Sequence, residues 1–160
     1  MSFAPHLTLV TDLLPIIRRD FPLADTSILN PNATNPLLDG EWLQLNSSYQ
    51  LTRGAAGDVV VPTWQVFSER GRYDTQAIGK VPVLFLGGYE AETDIADFTG
   101  LAVGDKLMVS DVTIGGQVKK GLKKTTATGK VVVAWVTRLI GSGADQKVRY
   151  YRPGTPIVLP

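Results

Sequence analysis

Residues 101–122 read LAVGDKLMVSDVTIGGQVKKGL and carry the clearest structural pattern in the chain. A Gly100–Asp105 turn leads into a strand predicted over Lys106–Ser110, and Gly115-Gly116 then turns the chain into a second strand over Gln117–Leu122. A glycine pair between two strand-forming runs is typical of a β-hairpin. This stretch therefore predicts antiparallel structure.

Strand patterns continue on both sides of this hairpin. Upstream, alternation from Trp42 and the turn at Asn46-Ser47-Ser48 predict another hairpin, followed by β-branched or alternating runs. The further predicted strands fall within Val59–Phe67, Val81–Leu86, Tyr89–Ile95, Val131–Leu139, Lys147–Tyr151 and Thr155–Leu159. Short, evenly spaced strands with glycine-rich turns favour a mainly β fold, an antiparallel barrel or sandwich, which we assign to residues 41–160.

The first forty residues have a different composition. Five of the ten prolines lie here, and each fixes φ and removes a backbone donor. Leu9, Leu13, Ile16 and Ile17 have helical spacing, but Pro15 limits any helix to a short one. We interpret residues 1–40 as an extended proline-rich arm.

Such an arm carries too many apolar side chains to remain exposed to water, so another surface must cover it. It packs along its own domain or reaches across a neighbouring subunit, and the sequence does not decide between these alternatives. In the second case the arm contacts a partner. Separately, residues 150–154 carry residue types enriched at interface hot spots, with a strand end and turn as the favoured alternative. The candidate partner contacts are Phe3, Leu7, Leu9, Leu13, Ile16, Ile17, Phe21, Tyr151 and Arg152.

Charge and composition limit the classes of function. A formal net charge of +1 gives no overall attraction to a polyanion, and the absence of cysteine excludes disulfides and thiolate chemistry. The N-terminus lacks the pattern of a signal peptide, and no apolar run approaches the roughly 20 residues of a membrane span. We expect a soluble, non-secreted protein that needs no cofactor.

The sequence offers little for catalysis. His6 is the single histidine, and neither a dinucleotide nor a Walker glycine pattern is present. Glu90, Glu92 and Asp94 alternate on one strand, either as a solvated face or as part of a cation site completed from elsewhere. An enzyme would require carboxylates such as Glu69, Asp74, Glu90 and Asp97 to converge in the fold. We expect a protein that is not an enzyme.

The basic cluster and the three tryptophans are both better explained by structural roles than by nucleic-acid binding. The only basic cluster lacks interleaved aromatics, so an exposed, solvated hairpin is favoured and nucleic-acid contact is a minor alternative. The cluster contains Lys119, Lys120, Lys123, Lys124 and Lys130. Trp42, Trp64 and Trp135 all lie in β-patterned runs and are predicted to be core or barrel-wall residues.

The order of motifs in residues 100–151 resembles the β-barrel of tailed-bacteriophage capsid decoration, or cement, proteins. The Val103-Gly104-Asp105 turn enters a strand, Gly115-Gly116 forms the hairpin, Val131–Val136 carries Ala134, and Val148–Tyr151 closes the unit. The resemblance implies a non-enzymatic virion protein on the outer capsid surface, made in the host cytoplasm. It implies the major capsid protein as partner and a homo-oligomer, dimer or trimer, that stabilises contacts between capsid subunits.

Two alternatives remain open. One is another phage structural subunit of the tail tube or neck, which would polymerise by itself. The other is a β-barrel module that binds an oligosaccharide or single-stranded nucleic acid through exposed aromatic side chains. The second alternative requires Trp42, Trp64, Tyr89 or Tyr151 on an exposed face.

Overall fold

The computed structural model describes residues 6–10, 17–59, 63–67, 79–154 and 157–158. Within these ranges the fold is mainly β, as predicted, with two short 3-10 turns at Thr26–Leu29 and Gly143–Asp145. The strands are β1 (Leu7–Leu9), β2 (Ile17–Pro22), β3 (Trp42–Leu45), β4 (Leu51–Thr52), β5 (Thr63–Val66), β6 (Lys80–Leu86), β7 (Tyr89–Thr93), β8 (Lys106–Ile114), β9 (Gln117–Lys124), β10 (Val131–Val132), β11 (Ala134–Ile140), β12 (Lys147–Arg152) and β13 (Ile157–Val158).

The strands form two curled antiparallel sheets, each shaped as a half-barrel. The six-stranded sheet has the order β1-β7-β12-β11-β8-β9, and the five-stranded sheet has the order β2-β6-β5-β3-β4. A separate pair joins β10 to β13. The hairpin predicted around Gly115-Gly116 is confirmed. Its two strands pair in continuous register, from Leu107 opposite Lys124 to Ile114 opposite Gln117.

Isolated bridges show how far each sheet curls. In the five-stranded sheet Leu23, which follows β2, bridges Leu51 of the opposite edge strand. In the six-stranded sheet Ala96, which follows β7, bridges Leu122 of β9. The bridge between Ala96 and Leu122 depends on Gly121, because a Cβ at that position would lie 2.5 Å from both the Ile95 carbonyl oxygen and Val112 Cγ2.

The five-stranded sheet is a wall between two hydrophobic cores. Trp42 and Leu84 face the core under the six-stranded sheet, whereas their neighbours Leu43 and Val83 face the core inside the five-stranded sheet. All four side chains are fully buried. Consecutive strand residues point to opposite faces, so a strand buried on both faces must be continuously apolar. That requirement explains the apolar run of β6.

The structure does not show the extended arm expected for residues 1–40. Instead, β1 pairs with β7 and β2 pairs with β6, so both are strands of the two sheets. Several apolar side chains of this region lie in the hydrophobic cores, namely Leu7, Phe21, Leu23, Leu29 and Leu37. The short helix considered between Leu9 and Ile17 falls on residues 11–16, outside the described residues.

Proline still shapes this region. Both β1 and β2 are edge strands, and Pro22 is the last residue of β2. An edge position tolerates a residue without a backbone N–H, because the ladder needs donors on one side only. The two described strands of this proline-rich region therefore both lie at sheet edges.

Candidate binding surface

The residues proposed from sequence as partner contacts do not form one surface. Leu7 and Phe21 are buried in different cores, and Leu9 is partly buried against the first core. Arg152 is also buried, whereas the adjacent Tyr151 is exposed. Phe3, Leu13 and Ile16 lie outside the described residues, and for Ile17 only the backbone, in β2, is described.

The three acidic residues Glu90, Glu92 and Asp94, which lie in β7 or directly after it, all contact neighbouring side chains. Thr137 donates to Glu90, Arg149 forms an ion pair with Glu92, and His6 contacts Asp94 at 2.8 Å. The Asp94 carboxylate raises the pKa of His6 above its ordinary value through this hydrogen bond. Within the described ranges, no three His, Asp or Glu side chains are grouped as a metal site would require.

The prediction of an exposed lysine hairpin is wrong for Lys119 and Lys120. Both side chains are buried, because the loops at residues 34–36 and 55–57 cover this part of β9. Lys119 Nζ donates to Asn35 Oδ1 and to the Pro36 carbonyl, and burial lowers its pKa to about 8. Lys120 forms an ion pair with Asp111 at 2.6 Å. These lysines therefore hold loops to the sheet.

An aromatic cluster lies inside the five-stranded sheet. Phe21, Trp64 and Phe85 pack with ring centroids 5.5–5.8 Å apart, and the rings of Trp64 and Phe85 are stacked. The exposed Arg19 places its guanidinium carbon 5.0 Å from the Phe21 centroid and 5.4 Å from that of Phe85. Trp64 and Phe85 are only partly buried, so part of the cluster reaches the surface.

A rigid turn displays a further aromatic side chain. Tyr49, in the β3–β4 turn, is 75% exposed and has a φ of +58°. Asn46 Oδ1 accepts hydrogen bonds from the backbone N–H groups of Ser48 and Gln50, and Asn46 N donates to the Gln50 carbonyl. A bulky residue in the left-handed region is uncommon, and the turn is held there by these bonds.

Register places this turn and the partly exposed part of the cluster at the same end of the sheet. Leu43 pairs with Trp64, and β3 then runs on through Leu45 into the Tyr49 turn. Gln65 pairs with Leu84, so Phe85 lies beside Trp64 at that end. Arg19 pairs with Val83, farther from this end, but its side chain reaches the Phe85 ring. We call Arg19, Leu45, Tyr49, Trp64 and Phe85 the aromatic end. Residues 11–16 and 60–62, which adjoin it in sequence, lie outside the described residues.

Most of this surface is not predictable from the sequence. The sequence predicts Trp64 as a core or barrel-wall residue and singles out neither Arg19 nor Phe85, because a strand pattern does not show which end of a curled sheet stays open. One signal was available at Tyr49, since an aromatic residue directly after Asn-Ser-Ser in a predicted turn has no strand partner to cover it. Of the other tryptophans, Trp42 is fully buried and Trp135 is half-buried.

Within the described part of the chain, no helix is long and apolar enough to cross a membrane. Comparisons with known proteins add no assignment: no protein-family model, no curated protein and no solved structure matches this chain.

Proposed function

We propose that this chain is a structural protein of a tailed-phage virion. It binds the outside of the capsid and stabilises contacts between major capsid protein subunits, acting as a homo-oligomer. The motif order of residues 100–151 supports the proposal, as does a mainly β fold with two curled sheets. Weak contacts repeated over a symmetric lattice give high avidity, so no deep site in one chain is needed.

The aromatic end is the observation that carries the proposal. Trp, Tyr and Arg are the residue types enriched among the contacts that dominate binding energy at protein interfaces. Here Trp64 is partly exposed, Tyr49 is strongly exposed on a rigid turn, and Arg19 lies over two aromatic rings. A rigid aromatic side chain loses little conformational entropy on binding, so this end is suited to docking on another protein.

Co-sedimentation with capsids that lack this protein tests the function. The intact chain is expected to pellet with the shells of the phage that encodes it, and not to form tubes or rings alone. Light scattering after size exclusion gives the oligomer number before binding. A chain that remains in the supernatant at saturating shell concentration, or polymerises into tubes by itself, contradicts the proposal.

Matched variants test the docking surface. Tyr49→Ala and Arg19→Ala change exposed side chains, and each is expected to weaken capsid binding about 10-fold or more, as hot-spot truncations do. Val103→Ala removes another exposed apolar side chain, from a turn before β8, and is expected to bind normally. Tyr151→Ala tests the candidate named from sequence. Loss of binding in Tyr151→Ala with normal binding in Tyr49→Ala would move the docking surface to β12.

A second candidate function is recognition of an oligosaccharide or single-stranded nucleic acid. Partly exposed Trp64 beside Arg19 and Phe85 favours it, because planar sugar faces and bases stack on aromatic rings. Tryptophan fluorescence distinguishes the two, since stacking on Trp64 changes its emission. Emission that is unchanged by millimolar sugars and by oligonucleotides at low salt argues against this candidate.

A further inference from the structure

The guanidinium of Arg152 is enclosed between the two sheets. Arg152 ends β12, is 3% exposed, and lies with its Cζ 5.5 Å from the ring centroids of both Trp42 and Tyr89. Its hydrogen bond to the opposite sheet is long, with Nη2 donating to the Thr63 carbonyl at 3.4 Å. Cation–π contact compensates part of the cost of burying this charge.

Two nitrogens of this guanidinium have no hydrogen-bond partner among the described residues. Among the described residues nothing accepts from Arg152 Nε or Nη1, and the buried Trp42 Nε1 and Thr63 Oγ1 are unpartnered as well. An arginine side chain does not deprotonate in proteins, so burial cannot neutralise it. A buried charge without a counter-charge is strongly unfavourable.

Two other cations with little exposure, the half-buried Arg53 and the buried Lys120, show a contrast. Arg53 contacts the fully buried Glu41 carboxylate and two backbone carbonyls, and Lys120 contacts Asp111 and two backbone carbonyls. No described carboxylate forms such a pair with Arg152. Compared with Arg53 and Lys120, Arg152 has no carboxylate partner and fewer carbonyl acceptors among the described residues.

The chemistry of the unpartnered atoms specifies what would complete the cluster. Arg152 Nε, Arg152 Nη1 and Trp42 Nε1 only donate hydrogen bonds, so the missing group must accept them. A water molecule accepts but does not neutralise the charge. Both aromatic rings lie close to the guanidinium, so an ion that binds beside them must be small. We propose that a small monovalent anion of the halide class binds Arg152 between the two sheets.

Such an anion would join the sheets, because Arg152 belongs to β12 of one sheet and Trp42 and Thr63 belong to β3 and β5 of the other. A ligand that binds only the folded state stabilises it by mass action. The unfolding equilibrium constant of the intact chain is therefore expected to fall about tenfold when chloride is raised to ten times its dissociation constant. Gluconate, a much larger anion than chloride, is expected to give no such effect at matched ionic strength and pH.

Two arginine variants separate this site from a general salt effect. Arg152→Met is expected to lose the difference between chloride and gluconate, whereas Arg138→Met, which changes an exposed arginine of β11 in the same sheet, is expected to keep it. An equal response of the intact chain to both salts overturns the proposal. So does a chloride effect that persists in Arg152→Met.

Crystals of the intact chain grown in bromide provide a measurement that does not depend on the variant folding. Anomalous scattering is expected to show bromide within hydrogen-bond distance of Arg152 Nε or Nη1. Finding a water molecule there instead, or a carboxylate of the chain itself, overturns the proposal.

Discussion

At the scale of single residues, buried polar side chains connect the two sheets through hydrogen bonds. Gln65 is fully buried in β5, where its Nε2 donates to the Gly40 carbonyl at 3.0 Å and its Oε1 accepts from the hydroxyls of Tyr89 and Tyr150. Burial raises the pKa of Tyr89 to about 12 and that of Tyr150 well above its ordinary value. Both hydroxyls thus remain protonated donors at neutral pH and link the two sheets through one amide.

His6 gives the clearest prediction at this scale. Because the hydrogen bond to Asp94 raises its pKa, NMR titration of this single histidine is expected to give a pKa above 6.5 in the intact chain and a lower pKa in Asp94→Asn. The stabilisation is fully present below pH 6.5 and is lost as pH rises through the folded-state pKa. Since both side chains are about one-third exposed, it amounts to at most about 1 kcal/mol.

Glu92→Gln is the control for that titration. Glu92 lies two residues before Asp94 but pairs with Arg149. This variant is therefore expected to leave the pKa of His6 nearly unchanged. A wild-type pKa at or below 6.5, or one that Asp94→Asn does not lower, contradicts the prediction.

At the scale of elements, paired charges attach loops to strands. Glu41, directly before β3, is fully buried and contacts Arg53, directly after β4, at 2.5 Å. Arg53 also donates to the Asn35 and Pro36 carbonyls. The loop before β3 is therefore held against the β3–β4 hairpin by one buried ion pair and its hydrogen bonds.

Breaking this pair is expected to be costly. Arg53→Met leaves the Glu41 carboxylate buried without a counter-charge, and we expect the free energy of unfolding to fall by about 3–5 kcal/mol in urea denaturation. Lys130→Met is the matched control, because it breaks a partly exposed pair with Asp58 and is expected to cost about 1 kcal/mol or less. Equal losses in the two variants are incompatible with this account.

The Tyr49 turn predicts a conflict between stability and binding. Asparagine tolerates the left-handed region better than tyrosine, so Tyr49→Asn is expected to raise the free energy of unfolding by about 0.5–1 kcal/mol. The same variant is expected to weaken capsid binding as Tyr49→Ala does. Tyr151→Asn, at an exposed tyrosine within β12, has no such strain to relieve and is expected to gain no stability. A destabilised Tyr49→Asn contradicts the strain argument.

At the scale of the whole molecule, the five-stranded sheet separates two hydrophobic cores, and the N-terminal region contributes a strand to each of the two curled sheets. β1 is an edge strand of the six-stranded sheet, and β2 is an edge strand of the five-stranded sheet. Residues 1–40 also contribute side chains to both cores. The described part of this region is thus integral to the fold, whatever contacts it makes with a partner.

Deletion of residues 1–40 tests this conclusion. Because β1, β2 and several buried leucine and phenylalanine side chains are lost, the truncated chain is expected to lose cooperative thermal unfolding, measured by circular dichroism. An arm that only reached across a neighbour would leave the remaining domain folded. A truncated chain with an unchanged midpoint and cooperativity would therefore restore the arm interpretation.

Local patterns in the sequence were enough to predict the mainly β class, the β8–β9 hairpin at Gly115-Gly116, the β3–β4 hairpin and the half-exposed strand β7. Alternation and turn residues act over a few neighbouring positions, so they can be recognised in the sequence alone.

The tertiary structure decided what those patterns cannot show. Lys119 and Lys120 are buried because distant loops cover β9, and residues 17–22 form a strand because β6 offers them an edge. The aromatic end exists because the curled five-stranded sheet leaves Trp64 and Phe85 incompletely covered. Burial depends on contacts between residues far apart in sequence, which no local pattern contains.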